Sequence, residues 1–392
     1  MRKGWEYKKL GEVCTIERGG SPRPINDYIT DSEDGINWIK IGDAQEGSKY
    51  ITSTKEKIKP EGVKKSRFVH KGDFILSNSM SFGRPYILKV DGCIHDGWLV
   101  IHDNNDIFIK DYLYYLLANP TMYAKFSQLA VGGVVNNLNS SLVRKVEITI
   151  PPKSTQLAIV TELDKINELI RLKKEQLKDF DNLAQSLFYE MFGDPVENEK
   201  GWEVKKLGEI CTDITDGDHM PPPKSESGIP FITISDIDKD TRCLNFENTF
   251  YVPEDYYNNL KENRKPQKGD LLYTVTGSYG IPVLVKTNKK FCFQRHIALL
   301  RPNKEILSTI FLCYWVLSDG VKFMADKVAT GIAQKTVGLN SIRRFSCILP
   351  PLSLQRLFAQ RIEQIEREKS EVQKSIQDLE TLLASRMQYW FE

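Results

Sequence analysis

The sequence predicts a mixed α+β fold. Two similar globular units are separated by two long helices that pair as an antiparallel coiled coil, with pseudo-two-fold symmetry. Three observations predict this: a heptad stripe over Ser154–Phe192, its recurrence over the last forty residues, and a repeated motif that opens each globular unit.

In the first stripe the apolar residues fall at Ile159, Leu163, Ile166, Ile170, Leu177, Phe180, Ala184, Leu187 and Met191. The steps alternate four and three, with Lys173 in the one missing place, and a 3.5-residue period keeps one narrow seam facing a partner helix. Pro151-Pro152 ends what precedes it, and Ser154 is the expected N-cap. Gly193-Asp194-Pro195 supplies the stop. The second stripe follows at a shift of 199 residues: Phe358, Ile362, Ile365, Val372, Ile376, Leu379, Leu383 and Trp390, with Lys369 and Arg386 in the gaps. Pro350-Pro351 and Ser353 open it, and Gln156 and Gln355 stand at the same place after the two proline pairs. Helices of about 39 residues are about 58 Å long. Lys173 and Lys369 either fix the register, as polar seam residues can, or let their stems snorkel to water.

The globular parts are copies of one unit. Gly4-Trp-Glu-Tyr-Lys-Lys-Leu-Gly-Glu-Val-Cys-Thr15 returns as Gly201-Trp-Glu-Val-Lys-Lys-Leu-Gly-Glu-Ile-Cys-Thr212, with ten of twelve residues identical. Asn37–Asp43 answers to Pro230–Asp236, Lys71–Leu76 to Lys268–Tyr273, and Leu138-Asn139-Ser140 to Leu339-Asn340-Ser341. Apolar runs at Trp38–Ile41, Phe74–Leu76, Trp98–Ile101, Val146–Ile150, Leu271–Val275 and Ile297–Leu300 read as strands. Helical spacing covers Lys110–Phe126 and the matching stretch near Ile306–Met324. Boundaries follow at 1–150, 151–194, 195–349 and 350–392. The copies diverge most at 18–36 against 215–229 and at 44–68 against 237–266, which suits one scaffold carrying different loops.

Connectivity chooses the orientation of the helices. The second globular unit begins where the first helix ends and ends where the second begins. A unit of about 155 residues has a radius of gyration of roughly 15 Å, so it cannot bridge two points about 58 Å apart unless it is stretched into a strap. Antiparallel helices bring those points together and predict a dumbbell.

Composition is that of an ordinary globular protein, 41% hydrophobic and 27% charged. No run approaches a membrane span, the first residues carry no apolar leader, and the seven scattered cysteines lack a Cys-x-x-Cys. These features predict a cytoplasmic protein with no membrane contact. A net charge of +2 does not by itself imply a polyanion partner.

Motifs of chemistry are missing. There is no P-loop, no Gly-x-Gly-x-x-Gly and no amino-methyltransferase motif. His70, His95, His102, His219 and His296 lack metal-ligand spacing, so no metal, cofactor or catalytic residue is expected. His95-Asp96 and His102-Asp103 can be drawn as acid–base pairs, but read better as structural or exposed histidines. Glu6-Tyr-Lys8 and Glu203-Val-Lys205 look like a nuclease Glu-x-Lys, yet lie in the repeated scaffold motif and read as amphipathic strands.

The loops do carry binding chemistry. One group is Arg18, Ser21 and Arg23 against Thr215, Asp216, His219 and Lys224. Another is Asn78, Ser79, Ser81 and Arg84 against Thr276, Ser278 and Tyr279; Arg295 is a further candidate. A third is Asn136 and Asn137 against Gln334 and Lys335. Such side chains read base edges, although they also populate ordinary turns. Lys55, Lys57, Lys59, Lys64, Lys65 and Arg67, with Lys261, Arg264, Lys265 and Lys268, are phosphate contacts or solvated surface.

These motifs together resemble the specificity subunit of a type I restriction–modification system: the Gly-Trp-Glu-x-Lys-Lys-Leu-Gly-Glu opening, a Gly-Asp strand, Leu-Asn-Ser, and Pro-Pro-x-x-x-Gln before a long helix. The likeness spans the whole chain. Where the family commonly has Glu before that Gln, this chain has Thr155 and Leu354. The resemblance implies a non-catalytic subunit that binds double-stranded DNA. Each globular unit would be a target recognition domain reading half of a bipartite, asymmetric site. The helix pair would set the gap and dock two methyltransferase subunits, and restriction/translocase subunits would join in the full complex. The alternatives are a coiled-coil adaptor without DNA readout, or a stand-alone DNA methyltransferase or nuclease.

Overall fold

The apolar strand runs imply strands covered on both faces, and the computed structural model shows why. It describes residues 2, 4–45, 47–78, 83–130, 138–219, 221–331 and 334–392, and the chain forms two units, Met1–Lys173 with Ser375–Glu392, and Lys174–Lys374. Successive strand residues point to opposite faces. In Trp98–Asp103 of the first unit, Leu99 and Ile101 therefore enter one core while Trp98 and Val100 enter another. In Leu271–Thr274 of the second unit, Leu271 and Tyr273 face one core and Leu272 faces the other.

In the first unit, among the described residues, one five-stranded sheet runs in the order Cys14–Arg18, Trp98–Asp103, Phe74–Ser77, Pro85–Leu88, Tyr50–Ile51. A second holds Ile29–Thr30, Glu56–Ile58, Ile36–Ile39, Gly92–Ile94 and Arg67–Val69. In the second unit, Cys211–Asp216, Ile297–Pro302, Leu271–Thr274 and Pro282–Leu284 form the counterpart of the first sheet. A three-stranded sheet of Phe250–Val252, Ile229–Ile232 and Cys292–Phe293 answers to the second.

The repeated opening motif has one job in both copies. Glu6–Lys9 pairs antiparallel with Glu147–Ile150, and Glu203–Lys206 with Ser346–Leu349. A single helical turn follows, and the carboxylate of Glu12 or Glu209 accepts the backbone N–H of Lys9 (3.1 Å) or Lys206 (3.0 Å). The Glu-x-Lys pairs are thus scaffold. Cys14 and Cys211 then enter the cores, where burial pushes both thiols up to about 12.

The helix expected over Lys110–Phe126 is two helices, Lys110–Ala118 and Pro120–Ala130. Pro120 disfavours the helical backbone at the residue before it, and Asn119 is extended at φ −72, ψ 152. Its side chain closes both ends, donating to Leu116 O at 2.5 Å and accepting from Met122 N–H at 2.9 Å. The second unit breaks at the same place without a proline. Thr309–Leu317 and Asp319–Val328 meet at Ser318, whose hydroxyl donates to Trp315 O and accepts from Val321 N–H.

The long helices span Lys153–Phe192 and Leu352–Phe391, 40 residues each. Both begin one residue before the expected serine. The carbonyls of Pro152 and Pro351 accept the first helical bonds, from Gln156 N–H and Gln355 N–H, so Ser154 and Ser353 lie in the first turn rather than capping it. In the first unit the start of the first helix packs on the end of the second: Ile159 and Leu163 share a core with Leu383, Met387, Trp390 and Phe391. In the second unit the end of the first meets the start of the second: Phe180, Ala184 and Leu187 pack with Phe358, Ile362 and Ile365. Each unit thus contains an antiparallel pair. Ile166, Ile170, Val372 and Ile376 are buried, while Leu177 and Leu379 are half-buried. Phe188 (1% exposed) and Phe192 (0%) widen the buried face beyond the heptad seam.

Two seam gaps carry ion pairs between helices. Lys369 Nζ lies 2.8 Å from Asp181, with its stem largely covered, and Arg386 pairs with Glu162. Trp390 Nε1 donates to the same carboxylate at 3.0 Å. No described helix is long and apolar enough to cross a membrane.

Candidate nucleic-acid interface

Both units build their loop junction on one backbone frame. In the first, Asn78 N–H donates to Gly97 O (2.9 Å) and Leu138 N–H to Asn78 O (2.9 Å). In the second, Val275 N–H donates to His296 O (2.9 Å) and Val337 N–H to Val275 O (2.9 Å). These bonds align Asn78 with Val275, Asp96 with Arg295 and Gly97 with His296. Strand register aligns Arg18, opposite Leu99, with Asp216, opposite Ala298. The next residue is glycine in both copies and has no room for a side chain. A Cβ on Gly19 would lie 2.3 Å from His95 O, and one on Gly217 1.9 Å from Phe293 O.

In the first unit, the candidates Arg18, Ser21, Arg23 and Asn78 converge on Asp96. Its carboxylate accepts from the Ser21 hydroxyl (2.8 Å), from His95 Nε2 (3.0 Å) and, at 3.4 Å, from Arg23 Nη2. Its backbone carbonyl accepts from Arg18 Nε (2.9 Å) and Asn78 Nδ2 (3.0 Å). Burial alone would raise the Asp96 carboxyl; the Ser21 hydroxyl, His95 and the two arginines outweigh it and hold it below the usual range. Burial holds His95 down, so it is neutral near pH 7. Its Nδ1 accepts Gly97 N–H at 2.9 Å, which puts the proton on Nε2, toward Asp96. Ser21, Arg23, Trp38, Lys40, Glu56 and His95 line a cavity of about 590 Å³ beside this hub. Arg23 itself is 77% exposed.

Because folding lowers the Asp96 carboxyl, its contribution to stability is present above the unfolded range near pH 4 and is lost as the pH falls through the lower folded value. The stability gap between wild type and Asp96→Asn should therefore be level from about pH 5 to 7 and shrink below about pH 4. Denaturant unfolding across pH measures this, and a gap independent of pH would refute the hub's electrostatic role.

In the second unit Asp216, His219, Thr276, Arg295 and Gln334 line one cavity of about 410 Å³, with His296 beside them. Asp216 accepts from His219 Nε2 at 2.9 Å and pairs with Arg264 at 3.4 Å. Arg264 also reaches Asp218 (3.6 Å), to which the Tyr256 hydroxyl donates at 3.2 Å. Arg264 is thus tied internally. Arg67 is likewise occupied, with Glu17 (3.0 Å) and the carbonyl of Arg18. Thr276 Oγ1 lies 3.2 Å from Thr336 Oγ1.

Other candidates lie apart from these cavities. Thr215 is buried, and Ser278 accepts from Lys239 Nζ at 3.1 Å. The Tyr279 hydroxyl donates to Asp326 at 2.5 Å, and Lys224 Nζ lies 5.1 Å from the Phe250 ring. Arg84 and Lys335 are exposed. Ser79, Ser81, Asn136 and Asn137 lie outside the described residues. Sequence reading missed the hub role of Asp96, although the His95-Asp96 pair was visible. The other acid–base pair dissolves: the Asp103 carboxylate accepts the N–H groups of Ile107 (3.0 Å) and Phe108 (2.7 Å) and shapes a turn. No cluster of three metal-ligating side chains occurs among the described residues.

The model of the type I restriction modification DNA specificity domain matches residues 2–179 and again 199–381. The MjaIX specificity subunit of Methanocaldococcus jannaschii is 28% identical over 60% of this chain and 59% of its own length. The putative MjaX specificity subunit of the same organism is 23% identical over 97% of this chain and 92% of its own. A solved structure, described as the structural basis underlying complex assembly and conformational transition of the type I R-M system, shares the fold: TM-score 0.68, 20% identity, 100% of this chain and 98% of that one. The duplicated match follows the duplicated frame, and the chain belongs to the type I restriction–modification DNA specificity family, as a recognition subunit rather than a catalytic one.

Proposed function

We propose that each globular part, 1–150 and 195–349, is a target recognition domain for one half of a bipartite, asymmetric DNA site. The helix segments 151–194 and 350–392 set the unspecified gap and dock two methyltransferase subunits, which restriction/translocase subunits join. The observation that carries this reading is the shared frame with unlike side chains: Arg18 against Asp216, Asp96 against Arg295. One frame presented twice with different polar groups suits two different half-sites. Arg18, Arg23, His219 and Gln334 are the base-edge candidates in this reading, since their exposed side chains supply donors and acceptors of groove recognition. Asn78 (3% exposed) and Thr276 (8%), expected at the interface from the sequence, are buried and hold the frame together instead.

Selection from a random duplex pool, with the chain assembled with methyltransferase subunits, should enrich two unlike short motifs at a fixed gap. Deleting one heptad from both helices should shorten that gap and leave the bases unchanged. Failure to enrich a bipartite motif would favour the adaptor reading. Cutting or methylation by the chain alone would favour the catalytic one, and new bases at an unchanged gap would refute the ruler.

A further inference from the structure

The two junctions differ by an exchange of charge. In the first unit the acid stands at position 96, after the Gly92–Ile94 strand, and the guanidinium groups stand on the 18–23 loop. In the second the acid stands at position 216, at the end of the strand that leads into the loop, and the guanidinium of Arg295 takes the place of Asp96.

In both, the acid is the covered member and is already engaged. The Asp96 side chain is 28% exposed and the Asp216 side chain 14%, and each holds two or more partners. A carboxylate so occupied is poorly placed to accept from a cytosine amino group. The guanidinium groups are the exposed members. Arg295 makes no hydrogen bond or ion pair among the described residues, and it lines the cavity with Thr276 and Gln334. Arg264, the other arginine nearby, is committed to Asp216 and Asp218 and is 25% exposed.

Resting on the proposed reading of half-sites, we propose that Arg295 is the specificity-determining residue of the second unit and takes a guanine through N7 and O6. Arg23, steadied by Asp96, takes the guanine of the first half-site. The planar fork of arginine fits those two acceptors, and a guanidinium with no internal partner has its donors available for them. Because acid and arginine have exchanged sides of one frame, the two guanines fall at different steps of their half-sites when these are aligned on that frame. Asp216, which acts through its neighbours, is a positioning residue.

The test is the same pool selection with the assembled complex carrying Arg295→Gln, Arg295→Lys or Arg264→Ala. Arg295→Gln should lose the preference for guanine at one base pair of the second half-site, by about 5- to 150-fold, and leave the first half-site unchanged. Arg295→Lys keeps the charge and loses the fork, so it should relax the same base pair without changing the salt dependence of binding. Arg264→Ala should weaken binding to the whole second half-site without singling out one base pair. An unchanged motif with Arg295→Gln, bound uniformly more weakly, would make Arg295 a phosphate contact and overturn the assignment. A wild-type complex that enriches no bipartite motif would instead overturn the proposed function.

Discussion

Phe188→Ala should destabilise the second unit by roughly 3–5 kcal/mol. The side chain is 1% exposed and stands in an aromatic cluster. Its ring centroid lies 5.2 Å from Phe192, 5.7 Å from Phe311 and 5.8 Å from Phe358, the last edge-on at 73°. Truncation removes a whole ring and leaves a void walled by three other rings. Rigid rings on a helix pair and a buried helix close such a void poorly, so the cavity contribution adds to the lost transfer free energy. Leu183, five residues earlier on the same helix and 52% exposed, is the comparison: Leu183→Ala should stay within about 0.5 kcal/mol. For a unit of this size the Phe188 change corresponds to a fall in melting temperature on the order of 10 °C. Hydrogen exchange confined to residues 174–374 would locate the effect, and a loss below about 1 kcal/mol would show that the cluster does not anchor the helix.

Gln156→Leu should cost the first unit on the order of 3–5 kcal/mol. Gln156 is 1% exposed and makes three bonds to backbone. Its Oε1 accepts Ile109 N–H at 2.8 Å, and its Nε2 donates to Ile107 O and Pro151 O, both at 3.0 Å. Leucine fills similar space but orphans one donor and two acceptors, and a buried orphan costs about 1–3 kcal/mol. Gln156→Glu discriminates between volume and hydrogen bonding. It keeps the bond from Ile109 but turns an oxygen toward two carbonyls, so at pH 7 it should be no better than leucine. If glutamate proved as stable as wild type, the proposed donation to the carbonyls would be wrong. Thermal unfolding and exchange of the Ile109 amide measure both variants.

Much of this architecture was legible in the chain because it is written twice. The openings at Gly4 and Gly201, and the seam from Ile159 and from Phe358, needed only periodicity and self-comparison. The break at Asn119 was obscured by apolar spacing that continues through Pro120. Phe188 lay off the heptad stripe because the helix end packs on a globular core, not only on a helix. The hub at Asp96 was hidden for a different reason. Ser21, Asn78 and Asp96 are far apart in sequence, and only strand pairing brings them together. Arg264 and Arg67 looked like surface cations; that acids stand against them is a matter of tertiary contact.

The two buried glutamines have one more consequence. Gln355 repeats the contacts of Gln156, accepting from Ser308 N–H (2.8 Å) and donating to Ile306 O (3.1 Å) and Pro350 O (2.8 Å). Every contact on either side is to main chain, so the side chains of the joined loops play no part in the bond. Such a coupling is blind to the residues it holds. A globular part that offers one amide and one carbonyl in this arrangement, as Ile109 and Ile107 do, and a core that receives the apolar face of the helix, as it receives Ile159 and Leu163, would seat on the same helix. Globular modules that keep this apolar seat could then be exchanged between relatives, or between the two ends of this chain, without redesign of the hydrogen bonds at the joint.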